Sequence, residues 1–425
     1  MTPALRTVRP LAAVLTASGV SHTGSRVSSV ALPWFVLVTT GSAAQTGLVA
    51  FCELAPYALA KALSGPLVDR SGPRVVSWST DVVSATAAAA LPVLHMAQLL
   101  PFWLLLALVA VIGAARGPGD LAKEVMVPEA ADRCGVPLER ATGLGGMTER
   151  LALTLGPALG GGLSALVGPL TCLFLIAACF ALGSVVIAVG LPRGMGQATA
   201  EPEGGPGYWH RFAEGWRFLR GDPLLLTVIV TVGITNGLST AFQSVLLPVW
   251  AKESGHGASA VGLNTAVAGA AAVCASLIAA VAAHRIRRRP VFFLGFLLAG
   301  APRYVVLAVD APLWAVVAVF AVSGFGSGFL NPILNAVCFE RIPRRLLGRV
   351  GALGDSLGWA GMPLGGLLGG AAVAAFGLVP SLLTSGAAFF LTTNLAGLRP
   401  EWREMDRRRN HTEERIPGPP ESAPT

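Results

Sequence analysis

The feature that most constrains this chain is a series of twelve long apolar segments separated by short polar breaks. A bilayer has a hydrocarbon core about 30 Å thick, so a helix needs roughly 20 apolar residues to cross it. A membrane β-barrel would instead show alternating segments of about ten residues. We therefore predict an all-α integral membrane protein. The predicted spans cover residues 11–38, 44–67, 75–94, 101–118, 143–166, 169–191, 223–249, 259–282, 290–309, 312–336, 350–374 and 378–398.

The distribution of charge predicts how these spans are oriented. The chain is 53% hydrophobic and only 13% charged, which is too apolar for a water-soluble protein of this length. Of its 31 Lys and Arg residues, only Lys252 falls in a loop on the side opposite the termini. Because cytoplasmic loops carry the excess of Lys and Arg, we predict a multi-pass protein of the cytoplasmic membrane with both termini inside the cell. This topology explains the net charge of +8 without nucleic acid as a partner.

Signals for cofactors and catalysis are absent from the sequence. The six cysteines form no CxxC pair, and no Cys/His spacing suggests a metal site. No GxxxxGK[ST] loop is present, so we predict that ATP is not the energy source. Gly326-Ser327-Gly328 resembles a serine-hydrolase signal only weakly, because Gly and Ser are common where membrane helices pack. We predict a protein that is not an enzyme, has no cofactor and uses a proton gradient.

The chain repeats itself. A shift of 215 positions places Pro33 on Pro248, Gly47 on Gly262 and Arg70 on Arg285. We therefore predict two pseudo-symmetric six-helix bundles, 11–191 and 223–398, with a central site that faces each side of the membrane in turn.

The remaining segments are predicted to lie in the cytoplasm. Residues 1–10 form the N-terminus, and residues 192–222 form a linker with an amphipathic interfacial helix at 208–220. Asp222 and Pro223 should cap the seventh span. The charged, proline-rich tail 399–425 is predicted to be disordered.

The loop after the second span has a distinctive sequence pattern. Its sequence, GPLVDRSGPR, resembles the signature loop GxLADRxGRR of the major facilitator superfamily, with Val68 and Pro73 as departures. In that family the loop belongs to the cytoplasmic gate, and Asp81 of the third span resembles an aspartate that steadies it. The alternative is that Arg70 and Arg74 only set the membrane topology of the loop. The gate residues implied by the resemblance are Gly65, Asp69, Arg70, Gly72, Arg74 and Asp81.

The fifth span carries a second resemblance, to the antiporter motif g(x)8G(x)3GP(x)2GG of the same superfamily. Ala152 replaces one glycine of that motif. The resemblance implies export, whereas close helix packing is the alternative. The stretch RVSSVALPWFVL is similar to the branch with macrolide-type drug exporters and the enterobactin exporter. The matching motif residues are Gly143, Gly156, Pro157, Gly160 and Gly161.

Glu53 lies in the middle of the second span. Placing an ionised side chain in the middle of the bilayer costs on the order of 2.5 to 3.5 kcal/mol, so the presence of Glu53 there requires a structural or functional explanation. Arg26 lies at a similar depth, about 20 Å from the cytoplasmic side, and is predicted to pair with it. The second half of the chain has Ala268 and Ala241 at the equivalent positions. Our hypothesis is that Glu53 couples proton movement to transport, with Arg26 as its partner and His22 as a second titrating group.

Uncharged polar residues are predicted to line the transport cavity. Ser18, Ser25 and Ser29 share a helical stripe with His22 and Arg26. The family lines its cavity with spans one, four, seven and ten, which implies further candidates, although each could equally be an interhelical hydrogen bond. These candidates are Asn236, Thr240, Gln243, Asn331 and Asn335.

Together these observations predict a monomeric, proton-coupled exporter of amphiphilic small molecules that works by alternating access, with protons and the lipid bilayer as its other partners. Two alternatives remain open at this level. One is an exporter or importer dedicated to a single metabolite, such as a siderophore. The other is a membrane enzyme or sensor that transports nothing.

Overall fold

The computed structural model describes residues 8–197, 216–282, 288–342, 347–398 and 402. Within these residues the chain forms twelve long helical segments, α1 to α12. A short helix, Gly65–Ser71, joins α2 to α3, and we call it the loop helix. The long segments are α1 (Arg9–Thr40), α2 (Ala43–Leu63), α3 (Pro73–Met96), α4 (Phe102–Cys134), α5 (Leu138–Val167), α6 (Pro169–Gly190), α7 (Pro223–Glu253), α8 (Gly257–Ala282), α9 (Arg288–Ala308), α10 (Leu313–Gly328, continued by Leu330–Arg341), α11 (Leu347–Phe376) and α12 (Leu378–Leu398).

Ten helices of the described chain are long and apolar enough to cross a membrane. The other two, α1 and α3, have 32 and 24 residues and are therefore long enough as well. Both are more polar because they carry many Ser and Thr residues, several of which are buried against neighbouring helices. Helices satisfy their own backbone hydrogen bonds, which is what a chain of this composition requires in lipid.

Some helices extend beyond the predicted spans. Helix α4 does not end at residue 118 but continues to Cys134, and α5 begins at Leu138 instead of 143. The Gly117-Pro118-Gly119 sequence lies inside α4 without ending it. Hydropathy misses the extension because it carries charged side chains, of which Lys123 and Glu124 pair with groups on α3 and α2. A polar segment can remain helical when its neighbours neutralise its charges.

The two halves meet along equivalent surfaces, α2 with α11 and α5 with α8. A β-carbon on Gly47 would meet the carbonyl oxygen of Gly366, and one on Gly262 would lie 2.8 Å from the Gly161 α-carbon. Gly47 and Gly262 are the residues that the 215-position repeat places together. Equivalent glycines therefore make equivalent close contacts between the halves, as expected for small residues at membrane helix interfaces.

The ends of the helix assembly differ. We call the end that carries the loop helix and Asp222 the linker end, and the opposite end the turn end. At the turn end Lys252 donates a hydrogen bond of 2.9 Å to the carbonyl oxygen of Leu37, which joins α7 to α1. Helix α1 packs on Phe242–Leu246 and Leu247–Glu253, the turn-end part of α7. The halves are thus held together toward the turn end.

The seventh span begins as predicted. The Asp222 side chain accepts hydrogen bonds of 3.1 Å from the backbone N–H groups of Leu224 and Leu225, and Pro223 occupies the first turn. Arg341, at the end of α10, donates a 2.8 Å hydrogen bond to the same carboxylate. Asp222 therefore both caps α7 and ties it to α10 at the linker end.

Parts of the predicted cytoplasmic segments lie outside the described residues. This holds for residues 208–215 of the predicted amphipathic helix and for the tail apart from Trp402. Trp402 itself is fully buried, with ring-centroid distances of 5.3 Å to Phe292 and 5.2 Å to Phe293. The prediction of disorder is wrong for this residue, because its large apolar ring packs against α9.

Candidate functional site

Glu53 is buried, as predicted, but its partner is Arg116 of α4 instead of Arg26. The Arg116 Nη1 atom donates a 2.9 Å hydrogen bond to Glu53 Oε1. Close packing explains this pairing, because a β-carbon on Gly113 would meet the Glu53 carbonyl oxygen. Because Gly113 has no side chain, α4 packs closely against α2 and Arg116 lies beside Glu53. The charge of Arg26 acts on Glu53 from α1, but the described residues give Arg26 no ion pair of its own.

Tyr57 connects this pair to a second buried carboxylate. The Arg116 guanidinium lies 5.2 Å above the Tyr57 ring centroid, and the Tyr57 hydroxyl donates a 3.2 Å hydrogen bond to Asp120 Oδ2. The Tyr57 ring also stacks on Trp359 of α11, with 6.1 Å between the ring centroids. Tyr57 thus contacts the charged cluster of the first half and a helix of the second half.

Two lysine–carboxylate pairs complete the charged cluster. Lys123 Nζ lies 2.8 Å from Asp81 Oδ1, and their side chains are only 2% and 4% exposed. Ser21 of α1 donates a second hydrogen bond, 3.2 Å long, to Asp81. Lys61 pairs with Glu124 at 2.9 Å, but these side chains are 28% and 55% exposed. Asp81 therefore links α1, α3 and α4, and among the described residues it makes no bond to the loop helix.

The polar stripe on α1 is only partly turned inward. His22 and Ser18 are half-buried, Ser25 is buried and Ser29 is exposed. Ser25 and Ser29 donate to carbonyl oxygens of their own helix, those of Ser21 and Arg26. Among the described residues, neither of these two serines therefore donates a hydrogen bond to the charged cluster.

The loop that resembles the family's gate is held by its own half. Val68 is buried with Val76 and Ala122, and the Arg74 guanidinium donates to the carbonyl oxygens of Ala188 and Pro192 at 2.8 and 3.0 Å. Asp69 and Arg70 are exposed and have no hydrogen bond or ion pair among the described residues. Gly72 has φ 82°, a conformation that favours glycine, and Gly65 opens the loop helix.

The glycines of the antiporter-like motif pack α5 against two helices. A β-carbon on Gly156 would meet that of Arg26, and one on Gly160 would lie 2.8 Å from the Val27 carbonyl oxygen. Gly161 lies against Gly262 of α8, near the buried Pro157. Gly143 has nothing within 4 Å of its β-carbon position. The motif therefore holds α5 to α1 and also forms part of the contact between the halves.

A cavity of about 420 Å³ lies mainly within the second half. Arg150 and Thr154 of α5 contribute to its wall from the first half, so both halves line it. Of the predicted cavity residues, Asn236, Gln243 and Asn331 line it. Ser18, Ser25, Ser29 and Thr240 do not, and the side chain of Asn335 lies outside the described residues. Its volume falls in the usual range for small-molecule sites.

The charged residues of α4 are the principal site feature that the sequence analysis missed. Arg116, Asp120, Lys123 and Glu124 fall after the predicted end of the fourth span or at its edge. Their spacing was a usable signal, since residues three or four apart share a helix face. No group of His, Cys, Asp and Glu residues in the described part of the chain could hold a metal ion.

Comparisons with known proteins agree with this architecture. A family model described as transmembrane secretion effector matches residues 5–424. The multidrug efflux pump Tap of Mycobacterium tuberculosis is 34% identical over 409 residues, which cover 93% of this chain and 95% of that protein.

Solved transporters have the same fold. The nucleoside transporter NupG superposes with a TM-score of 0.74 at 13% identity, covering 93% of this chain and 99% of its own. A bacterial homologue of the lysosomal transporter spinster, solved inward-facing and unoccupied, gives a TM-score of 0.69 at 14% identity and covers 96% and 98% of the two chains.

Proposed function

We propose that this chain, which belongs to the transmembrane secretion effector family of the major facilitator superfamily, exports amphiphilic small molecules from the cytoplasm in exchange for protons. The observation that carries this proposal is the 34% identity, over 95% of its length, to a protein named a multidrug efflux pump. The motif residues Gly156, Pro157, Gly160 and Gly161 support the direction of transport, because the family associates that motif with exporters.

The geometry supports alternating access. Assigning the linker end to the cytoplasm, as the positive loops favour, puts the contacts between the halves toward the outer face. Asp69 and Arg70 of the gate loop are then exposed to the cytoplasm. A substrate would reach the cavity from inside, and rocking of the halves would close the gate loop against the second half while the turn end opens.

Glu53 remains our candidate for proton coupling, with Arg116 in place of Arg26 as its partner. Because Glu53 is only 8% exposed, its carboxylate depends on the Arg116 guanidinium for compensation. Protonation would remove that attraction and free Arg116, which also lies over Tyr57. Tyr57 contacts Trp359 of the second half, so a change at Glu53 can reach the surface between the halves.

Export is tested in a bacterial host that lacks its own multidrug pumps. Expression of this chain should lower the accumulation of several unrelated dyes and antibiotics, and a protonophore should restore it. Accumulation that stays unchanged for the whole panel, with the protein present in the membrane, would refute broad export and leave a dedicated transporter.

The role of Glu53 is tested in everted membrane vesicles with an imposed pH gradient. Glu53→Gln should abolish gradient-driven substrate uptake, because the amide carries no exchangeable acidic proton. Glu124→Gln is the matched control, since it removes a carboxylate at the half-exposed rim of the same cluster. Full gradient-driven uptake by Glu53→Gln would move the coupling to another group, of which Asp120 is the first to examine.

A further inference from the structure

The charge of the cavity points to a class of substrate. Two arginines, Arg150 and Arg303, line it, whereas no described lining residue is Asp or Glu. Hydroxyl and amide side chains make up most of the remaining polar wall, including Ser239, Gln243 and Asn331. The described wall is therefore polar and positively charged.

Arg303 is built into this wall. Its Nη2 atom donates a 2.9 Å hydrogen bond to Ser239 Oγ. Its guanidinium lies 4.6 Å from the Phe242 ring centroid and 5.7 Å from that of Phe389. These contacts fix the plane of the guanidinium, so it is pre-organised for a planar acceptor such as a carboxylate.

Part of this arginine is left without a partner. The Nε atom of Arg303 is buried and has no hydrogen-bond partner in the described part of the chain. No carboxylate in the described part of the chain pairs with Arg303 either, and a half-buried cation is costly when it is uncompensated. A ligand with an anionic group in the cavity would supply the missing negative charge.

The apolar wall complements this polar anchor. Phe296 and Phe389 line the same cavity and offer aromatic surface beside the guanidinium. Aromatic rings bind one another by stacked or edge-to-face contacts. An aromatic compound that carries an acidic group matches both features, whereas a cation finds no carboxylate in the described wall.

We propose that this cavity binds amphiphilic aromatic compounds through an anionic group, with Arg303 as the anchoring residue and Arg150 as a weaker second contact. This inference rests on the proposed export function, because it names the substrate class for that function. Arg150 lies about 18 Å along α5 from the linker end, and Asn236 lies about 20 Å along α7. The site is thus near the middle of the membrane, where a substrate of an alternating-access transporter binds.

The test uses two probes that share a ring system and differ in charge. Anthracene-9-carboxylate and 9-(aminomethyl)anthracene are titrated by fluorescence polarisation at neutral pH against the full chain in phosphatidylcholine nanodiscs, with empty nanodiscs subtracted. The native protein should bind the carboxylate more tightly. Arg303→Gln should weaken carboxylate binding by roughly tenfold or more, the range for a hydrogen bond between charged groups.

Three further variants isolate the cause. Arg150→Gln should weaken carboxylate binding roughly two- to fivefold, because Arg150 is exposed. Arg303→Lys should fall between the native protein and Arg303→Gln, since it keeps the charge and loses the planar fork. Arg193→Gln removes an exposed arginine outside the cavity and should leave both affinities unchanged. If Arg303→Gln does not fold, as judged by size-exclusion chromatography, Arg150→Gln and Arg303→Lys still carry the test.

Tighter binding of the amine by the native protein would overturn the proposal. Unchanged carboxylate binding in folded Arg303→Gln would also overturn it. If that variant does not fold, unchanged carboxylate binding in both Arg150→Gln and Arg303→Lys would do so. Such a result would leave export itself standing, because export is measured independently by accumulation of the compound panel. Conversely, unchanged accumulation of the whole panel together with preferential carboxylate binding would refute broad export and keep the site.

Discussion

Asp81→Asn should destabilise the protein far more than Glu124→Gln, although both changes turn a lysine-paired carboxylate of the same cluster into an amide. Asp81 and Lys123 are 4% and 2% exposed, so Asp81→Asn leaves an uncompensated cation in the protein interior. Removing one partner of a buried pair costs about 3 to 5 kcal/mol. Glu124 and Lys61 are 55% and 28% exposed, and such pairs contribute about 0 to 1 kcal/mol.

The difference, about 3 kcal/mol, corresponds to a change of roughly a hundredfold in the unfolding equilibrium. The free energy of unfolding is measured in detergent micelles by titration with sodium dodecyl sulfate, followed by tryptophan fluorescence. The double variant Asp81→Asn/Lys123→Met should recover most of the loss, because it removes both charges and keeps the volume filled. The reasoning would be refuted if Asp81→Asn cost no more than Glu124→Gln, or if the double variant were no more stable than Asp81→Asn alone.

Three further outcomes follow from single contacts. Gly161→Val should abolish export without loss of expression, because any side chain there meets Gly262 on the other half; normal export in the accumulation assay would contradict it. Trp359→Ala should lower the free energy of unfolding by about 0.5 to 1.5 kcal/mol beyond the loss expected from its buried area, because it also removes the stacking on Tyr57. A double-mutant cycle with Tyr57→Ala measures this coupling energy, and a value of zero would contradict it. Asp222→Ala should lower the free energy of unfolding by about 0.5 to 2 kcal/mol more than Asp222→Asn, because asparagine keeps the helix cap. Equal losses of unfolding free energy on denaturant titration would show that the cap contributes nothing.

Features that depend on composition and local sequence could be predicted. The spans, the duplication and the family were readable because lipid demands about twenty apolar residues per helix and because the gate-loop and antiporter motifs are contiguous. The cap at Asp222 was predictable for the same reason, since it involves only the next three residues. Gly47 and Gly262 could be recognised as equivalent from the repeat alone.

The lining of the cavity was predicted only in part. Asn236, Gln243 and Asn331 were expected there and line it, but Arg303 had no assigned role in the sequence. Its role became visible only when α7, α9 and α12 brought Ser239, Phe242 and Phe389 around one guanidinium. Sequence spacing within a single helix carries no information about such neighbours.

Apolar length and contiguous motifs are properties of the chain, so they are enough to predict a duplicated bundle of membrane helices of the major facilitator superfamily. Which charges pair became clear from the packing of the helices. Glu53 and Arg26 have similar depth, yet Glu53 bonds to Arg116 because Gly113 lets α4 approach α2 closely. Depth follows from counting residues, whereas pairing depends on the rotation of each helix and on how near its neighbour can come.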